Sequence, residues 1–201
     1  MRLKEEYREE TVINKSRFIA CLMRTETEEQ ARAYIEKIRK EFPDATHVCT
    51  AFVVGENNSI RRSSDDHEPA GTAGVPMLES LLKSGLSDAT ACVVRYFGGV
   101  KLGAGGLIRA YSGAVSQAAA NASKTEEITV KKYRVRYPYD LSGTLEGWLR
   151  RNTEIIDLQY DEAVTAWILS DREDTEDAVR NLSRGTVEAE YISTVTKEKD
   201  I

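Results

Sequence analysis

With 201 residues, 41% of them hydrophobic and 30% charged, the chain is long enough to fold as one large domain or two small ones. No stretch approaches the roughly 20 apolar residues that span a bilayer, and no apolar run follows the opening MRLKEEYREE, so neither a membrane anchor nor a signal peptide is expected. The net charge of −5 hides an asymmetry: residues 1–125 carry 17 Lys and Arg against 16 acids, whereas residues 126–201 carry 11 against 17.

In chain order, Tyr7–Ile13 and Arg17–Met23 read as two strands joined by a turn at Asn14–Ser16. Thr27 opens a helix with a Thr-x-x-Gln capping box; Ala31, Tyr34, Ile35, Ile38 and Phe42 keep the helical period, and Pro43 ends it. His47–Val54 and Ser59–Ser63 form another strand pair, turned at Gly55–Asn58. The loop Asp65–Gly71 leads into a helix over about Thr72–Ser84, and Thr90–Phe97 is a β-branched and aromatic strand. A glycine-rich stretch then opens a helix to about Ala122, whose small residues imply close packing. These elements make a mixed α+β first domain, residues 1–124.

The polar segment Ser123–Glu127 reads as a linker to a second domain, residues 128–201. There Tyr133, Val135 and Tyr137 alternate with Lys132, Arg134 and Arg136, giving a strand with one apolar and one basic face. A helix over Leu141–Arg151 follows, then strands with Ile156, Leu158 and Tyr160 and with Val164, Ala166 and Ile168 inward. Asp-rich residues 171–174 cap a helix closed by Gly185, and Val187, Ala189 and Tyr191 make the last strand. The order βαββαβ is the ferredoxin-like arrangement. Cys21, Cys49 and Cys92 lie far apart in apolar strands, the usage of buried hydrophobes in a reducing compartment, so a cytoplasmic protein is expected.

Two stretches could carry chemistry. Asp65-Asp66-His67-Glu68-Pro69 sets three carboxylates beside an imidazole, oxygen ligands of the kind that suit magnesium or calcium. In an extended chain only Asp65 with His67, or Asp66 with Glu68, would share a face, and His47 is the one other imidazole. A solvated acidic loop capping the next helix accounts for the same residues, so no metal is assigned. The second stretch is Arg95–Arg109, where no acid occurs between Asp88 and Glu126. A strand, a glycine-rich turn and a helix N-terminus can bind an anion through free N–H groups. It is neither a P-loop, which needs Gly-Lys-Ser/Thr, nor a dinucleotide fingerprint, because Ile108 stands where a third small residue belongs. The glycines could equally serve tight packing alone. Arg95, Lys101 and Arg109 favour phosphate, and Tyr96 or Phe97 could offer a stacking face, although one of the two must point into the core. No nucleophile elbow is present, so no catalytic residue is assigned.

Asp65–Pro76 (DDHEPAGTAGVP) and Arg95–Tyr111 (RYFGGVKLGAGGLIRAY) closely resemble the signature of the IMPACT family. Ser16–Ile19 and Asp44–His47 match its earlier segments in order, and the likeness runs from end to end. One departure is visible: His67 stands where the family more often has glycine. The resemblance implies a first domain with the fold of the second domain of a small-subunit ribosomal protein, shared with elongation factor G and a class of small-molecule kinases. It also implies a ferredoxin-like second domain similar to the last domain of elongation factor G. Eukaryotic relatives act in translational control, through an added N-terminal domain that this sequence does not contain.

The expectation is therefore a cytoplasmic regulator of translation that binds RNA or the ribosome, with no catalysis, metal or cofactor assigned. Arg95, Tyr96, Gly98, Gly99, Lys101, Gly103, Gly105, Gly106 and Arg109 would face phosphate, supported by the acidic cluster Asp65, Asp66 and Glu68. The alternative is a nucleotide- or phosphate-binding enzyme that uses the glycine turn together with those three carboxylates and magnesium. A third possibility is a protein partner in translation control, met by the acidic second domain.

Overall fold

Strands apolar on both sides need cover on both faces, and His47–Val54 and Ala89–Tyr96 are of that kind. In a computed structural model describing Met1–Ile201, a two-residue strand β1 (Arg2–Leu3) precedes β2 (Tyr7–Ile13), β3 (Ser16–Arg24), β4 (His47–Val54), β5 (Ile60–Ser64) and β6 (Ala89–Tyr96). Strands β2 to β6 form an antiparallel sheet in the order β2-β3-β6-β4-β5. Helix α1 (Glu28–Glu41) covers one face, packing Tyr34, Ile35 and Ile38 on Cys21, Phe52 and Val94. Helices α2 (Gly74–Lys83) and α3 (Gly103–Asn121) cover the other, over Phe18, Leu22, Ala51 and Val93. The cover explains why β4 and β6 show no polar alternation.

The capping box of α1 forms with a shift: Thr27 Oγ1 accepts from Gln30 N–H at 3.2 Å, while the Gln30 side chain takes the N–H of Glu26 rather than of Thr27. Burial pushes the Cys21 thiol up to about 11 and Cys49 up to about 12, and raises Cys92 as well, so all three stay protonated and unreactive.

The chain divides into two units, Met1–Glu126 with Asp200–Ile201, and Glu127–Lys199. The second contains most of β7 (Lys124–Tyr137), α4 (Ser142–Asn152), β8 (Glu154–Tyr160), β9 (Val164–Ser170), α5 (Thr175–Leu182) and most of β10 (Ala189–Asp200). Its strands run in the order β10-β7-β9-β8, with α4 and α5 packed on Tyr133, Val135 and Ile168. The fold is α+β, with a ferredoxin-like second unit. Ser123–Glu127, expected as a linker, mostly belongs to β7: Lys124 and Thr125 already pair with Leu3 and Arg2, and the β-branched Thr125, Ile128, Thr129 and Val130 continue the strand. In β8 a bulge between Ile155 and Asp157 breaks the expected alternation, so Ile155 and Leu158 pack inward while Ile156 and Tyr160 are exposed. No helix is long and apolar enough to cross a membrane.

Candidate functional site

Register brings the two chemical stretches to one rim of the first unit. Arg95, near the end of β6, pairs with Phe18 of β3 on one side and with His47 of β4 on the other. The loop after β5, the loop after β6 and the N-termini of α2 and α3 open there.

The acidic loop is not extended. Asp66 and His67 take left-handed φ values of 43° and 68°, and the chain turns back on itself so that Glu68 N–H donates to the Asp65 carbonyl at 2.9 Å. The face-sharing expected of alternate residues therefore fails, and each carboxylate points its own way. Asp65 accepts from the N–H groups of Gly71 (2.8 Å), Ala73 (3.0 Å) and Gly74 (2.8 Å), capping α2 from a distance in sequence. Burial alone would raise its pKa, but the three N–H donors outweigh it and hold the carboxyl below the usual range. Asp66 accepts from Val48 N–H at 2.7 Å, and its carbonyl accepts from His47 Nδ1 at 2.7 Å. The left-handed turn also explains the departure at His67, since glycine takes such a φ without steric cost.

Glu68 goes inward. Its Oε1 accepts from Arg95 at 2.5 Å and from Tyr111 Oη at 2.7 Å, with His47 Nε2 at 3.8 Å. The Glu68 and Arg95 side chains are only 4% and 6% exposed. The Arg95 guanidinium also lies against the rings of Phe18 and Phe97, 5.4 and 5.5 Å from their centroids. Burial above all keeps the Tyr111 phenol protonated and able to donate to Glu68. Arg95, expected to face phosphate, is thus withdrawn into the interior, because Glu68 offers a charge partner in a site too enclosed for solvent. Ser16, His47 and Tyr111 belong to this network. The residue patterns noted His47 only as a second imidazole and singled out neither of the others; the signal for all three was their place in the segments that carry the family resemblance.

The glycine stretch divides in function at Gly98. A Cβ there would stand 2.0 Å from the Lys15 carbonyl oxygen, so only glycine lets the loop meet the β2–β3 turn. Its N–H donates to Ser16 Oγ at 3.2 Å, and that of Phe97 donates to Thr46 Oγ1 at 3.0 Å. Beyond it, Gly99 and Gly103 take φ of 83° and 69° with nothing near where a Cβ would be. Tyr96 packs partly against the α1-side core, donates to Asp44 and lies under Arg17, leaving Phe97 as the outward ring, 46% exposed. Helix α3 then starts at Gly103 with no side-chain cap and no acid in its first turn. Gly103, Ala104 and Gly105 are exposed, as are Lys101 and Arg109, and neither of those two bases makes an ion pair. Gly105 has its small contour beside the Arg109 guanidinium, and Gly106 sits against Leu102. What this rim offers chemically is a set of unsatisfied N–H donors and two free cations beside an exposed aromatic ring, which fits an anion with a planar group.

The family described as Impact N-terminal domain matches residues 14–119. The chain is 46% identical over 163 residues to the IMPACT family member YvyE of Bacillus subtilis, covering 81% of this chain and 75% of that protein. It is 42% identical over 151 residues to YigZ of Escherichia coli, covering 74% of each. A crystal structure described as that of an hypothetical protein superposes with a TM-score of 0.60 at 36% identity, covering 95% of this chain and 96% of the other.

Proposed function

The chain belongs to the IMPACT family, and we propose that it is a nucleic-acid- or ribosome-binding regulator of translation whose phosphate contacts lie on the rim at the start of α3. The observation that carries this reading is the uncapped N-terminus of α3 with Lys101 and Arg109 exposed and unpaired beside it. A helix end of that kind attracts negative charge, and two free cations on the same rim add to it. The Phe97 ring supplies a stacking surface, and Gly99 and Gly103 leave room for a backbone to approach. Arg95 and Glu68 form the support beneath the rim rather than part of the contact surface. The translation-factor-like architecture that the family resemblance implies favours RNA or the ribosome as partner, and so the cytoplasm.

The magnesium-dependent nucleotide reading is less favoured, because the carboxylates it needs are engaged: Asp65 by three backbone N–H groups, Asp66 by Val48, and Glu68 by Arg95 and Tyr111.

Filter binding to single-stranded RNA and co-sedimentation with ribosomes, each over a salt series, test the proposal. Binding should weaken steeply with salt, and Lys101→Ala with Arg109→Ala should flatten the log–log slope by about 1.4–2. Salt-independent association, or an unchanged double variant, would sink the reading.

A further inference from the structure

The second unit has a sheet face that the rim does not use. Its helices α4 and α5 both pack, through Leu145, Leu149 and Val179, on Tyr133, Val135, Ala166 and Ile168. Strand side chains alternate, so the residues between these look to the side that neither helix covers. There β7 presents Lys132, Arg134 and Arg136, and β9 presents Leu169, Trp167 and Thr165. The ladder sets them opposite one another: Lys132 with Leu169, Arg134 with Trp167, Arg136 with Thr165. In the order β10-β7-β9-β8 these are the two central strands.

Arg134 and Arg136 are exposed, and Trp167 is partly so. Arg136 and Lys132 make no ion pair. Arg134 pairs with Glu190 at 2.5 Å, but that pair is 48% and 56% exposed, the kind of surface contact that contributes little and yields readily to a competing anion. Acids flank the row on both sides, Asp157 of β8 directly across from Trp167 and Glu190 of β10 beside Arg134, while the bases run along β7. An indole set into a row of cations on a helix-free four-stranded sheet matches what an unpaired nucleotide strand requires: a π-face for a base and cations for the phosphates flanking it.

We propose that this face binds single-stranded RNA, with a base stacked on Trp167 and the neighbouring phosphates held by Lys132, Arg134 and Arg136. It shares with the α3 rim only the choice of nucleic acid as ligand, and the two can fail separately.

The chain has two tryptophans, and Trp148 packs against the unit's core under Arg172, so Trp167 is the natural reporter. The experiment titrates the full chain with an oligouridine of about 12 nucleotides, following tryptophan emission and, in parallel, the anisotropy of labelled RNA. Emission should be quenched at low salt and recover as salt rises. The Trp167→Phe variant should leave a Trp148 signal that does not respond to RNA. Arg134→Ala with Arg136→Ala, both at exposed positions, should weaken the quenching isotherm roughly tenfold or more. Lys101→Ala with Arg109→Ala should leave that isotherm in place; if it abolishes quenching, the sheet face is not a site of its own and the proposal falls. It falls also if RNA binds by anisotropy without quenching, or if the Arg134 and Arg136 variant quenches like wild type. Equal quenching by polyglutamate would overturn it in favour of an acidic protein partner. A Lys101 and Arg109 variant with undiminished total affinity would instead count against the rim alone.

Discussion

Helices α2 and α3 start on the same rim and cover the same face of the sheet, yet their free N–H groups are treated in opposite ways. At α2, Asp65 reaches back from the preceding loop and takes the donors of Ala73 and Gly74 as well as that of Gly71. At α3 no side chain caps the helix, no acid enters its first turn, and the nearby charges are Lys101 and Arg109. One helix start is closed by the protein's own anion, and the other is left uncapped, as the proposed phosphate contact requires. The acidic loop and the glycine stretch therefore do different work: the first builds the rim, the second presents it.

The largest effect that would break this comparison lies beneath it. Glu68→Ala leaves the buried Arg95 guanidinium without its counter-charge and should cost about 3–5 kcal/mol in urea unfolding; a loss below about 1 kcal/mol would mean that the network does not support the rim. Asp65→Ala removes a charged cap with three N–H donors and should cost about 2 kcal/mol. Because the folded pKa of Asp65 lies below its unfolded value near 3.9, that contribution is complete above roughly pH 4. It is lost as pH falls through the folded value, so wild type and variant should converge in acid; a gap that persists there would contradict the capping role.

At the other helix the expectations reverse. Ala104→Glu adds a negative charge to the first turn of α3 and should stabilise the fold by about 0.3–1 kcal/mol while weakening RNA or ribosome binding, a pair of opposite signs read by thermal unfolding and filter binding. Loss of both stability and binding would show that the end of α3 is not free. The smallest change in stability belongs to Lys101→Ala with Arg109→Ala, which should stay within about 0.5 kcal/mol of wild type although binding falls.

The periodic parts of the molecule were legible in the sequence. The α1 stripe, the apolar strands β4 and β6 and the ferredoxin-like order follow from patterns of two and of 3.6, because burial acts on every turn or every second residue. What escaped depends on single backbone turns or on contacts distant in sequence. The left-handed pair Asp66 and His67 aims each carboxylate separately, and nothing in their side chains announces it. The inward turn of Arg95 depends on Glu68 and Tyr111, which meet it only after folding, so a basic residue among glycines looked like a ligand contact. The bulge at Ile155 shifts alternation by one residue, and residue types alone leave both registers open.

The strand that brings Arg95 to the rim is also the middle strand of its sheet, laddered on both edges and covered by helices on both faces. Its amides should be among the slowest in the unit to exchange with deuterium, opening only when the whole unit opens, whereas Gly99–Lys101, which make no regular structure, should exchange at once. The rim should thus join some of the most slowly exchanging backbone of the unit to some of its fastest within a few residues. Ligand-induced protection should then appear as a step confined to the loop, with β6 already silent before anything binds.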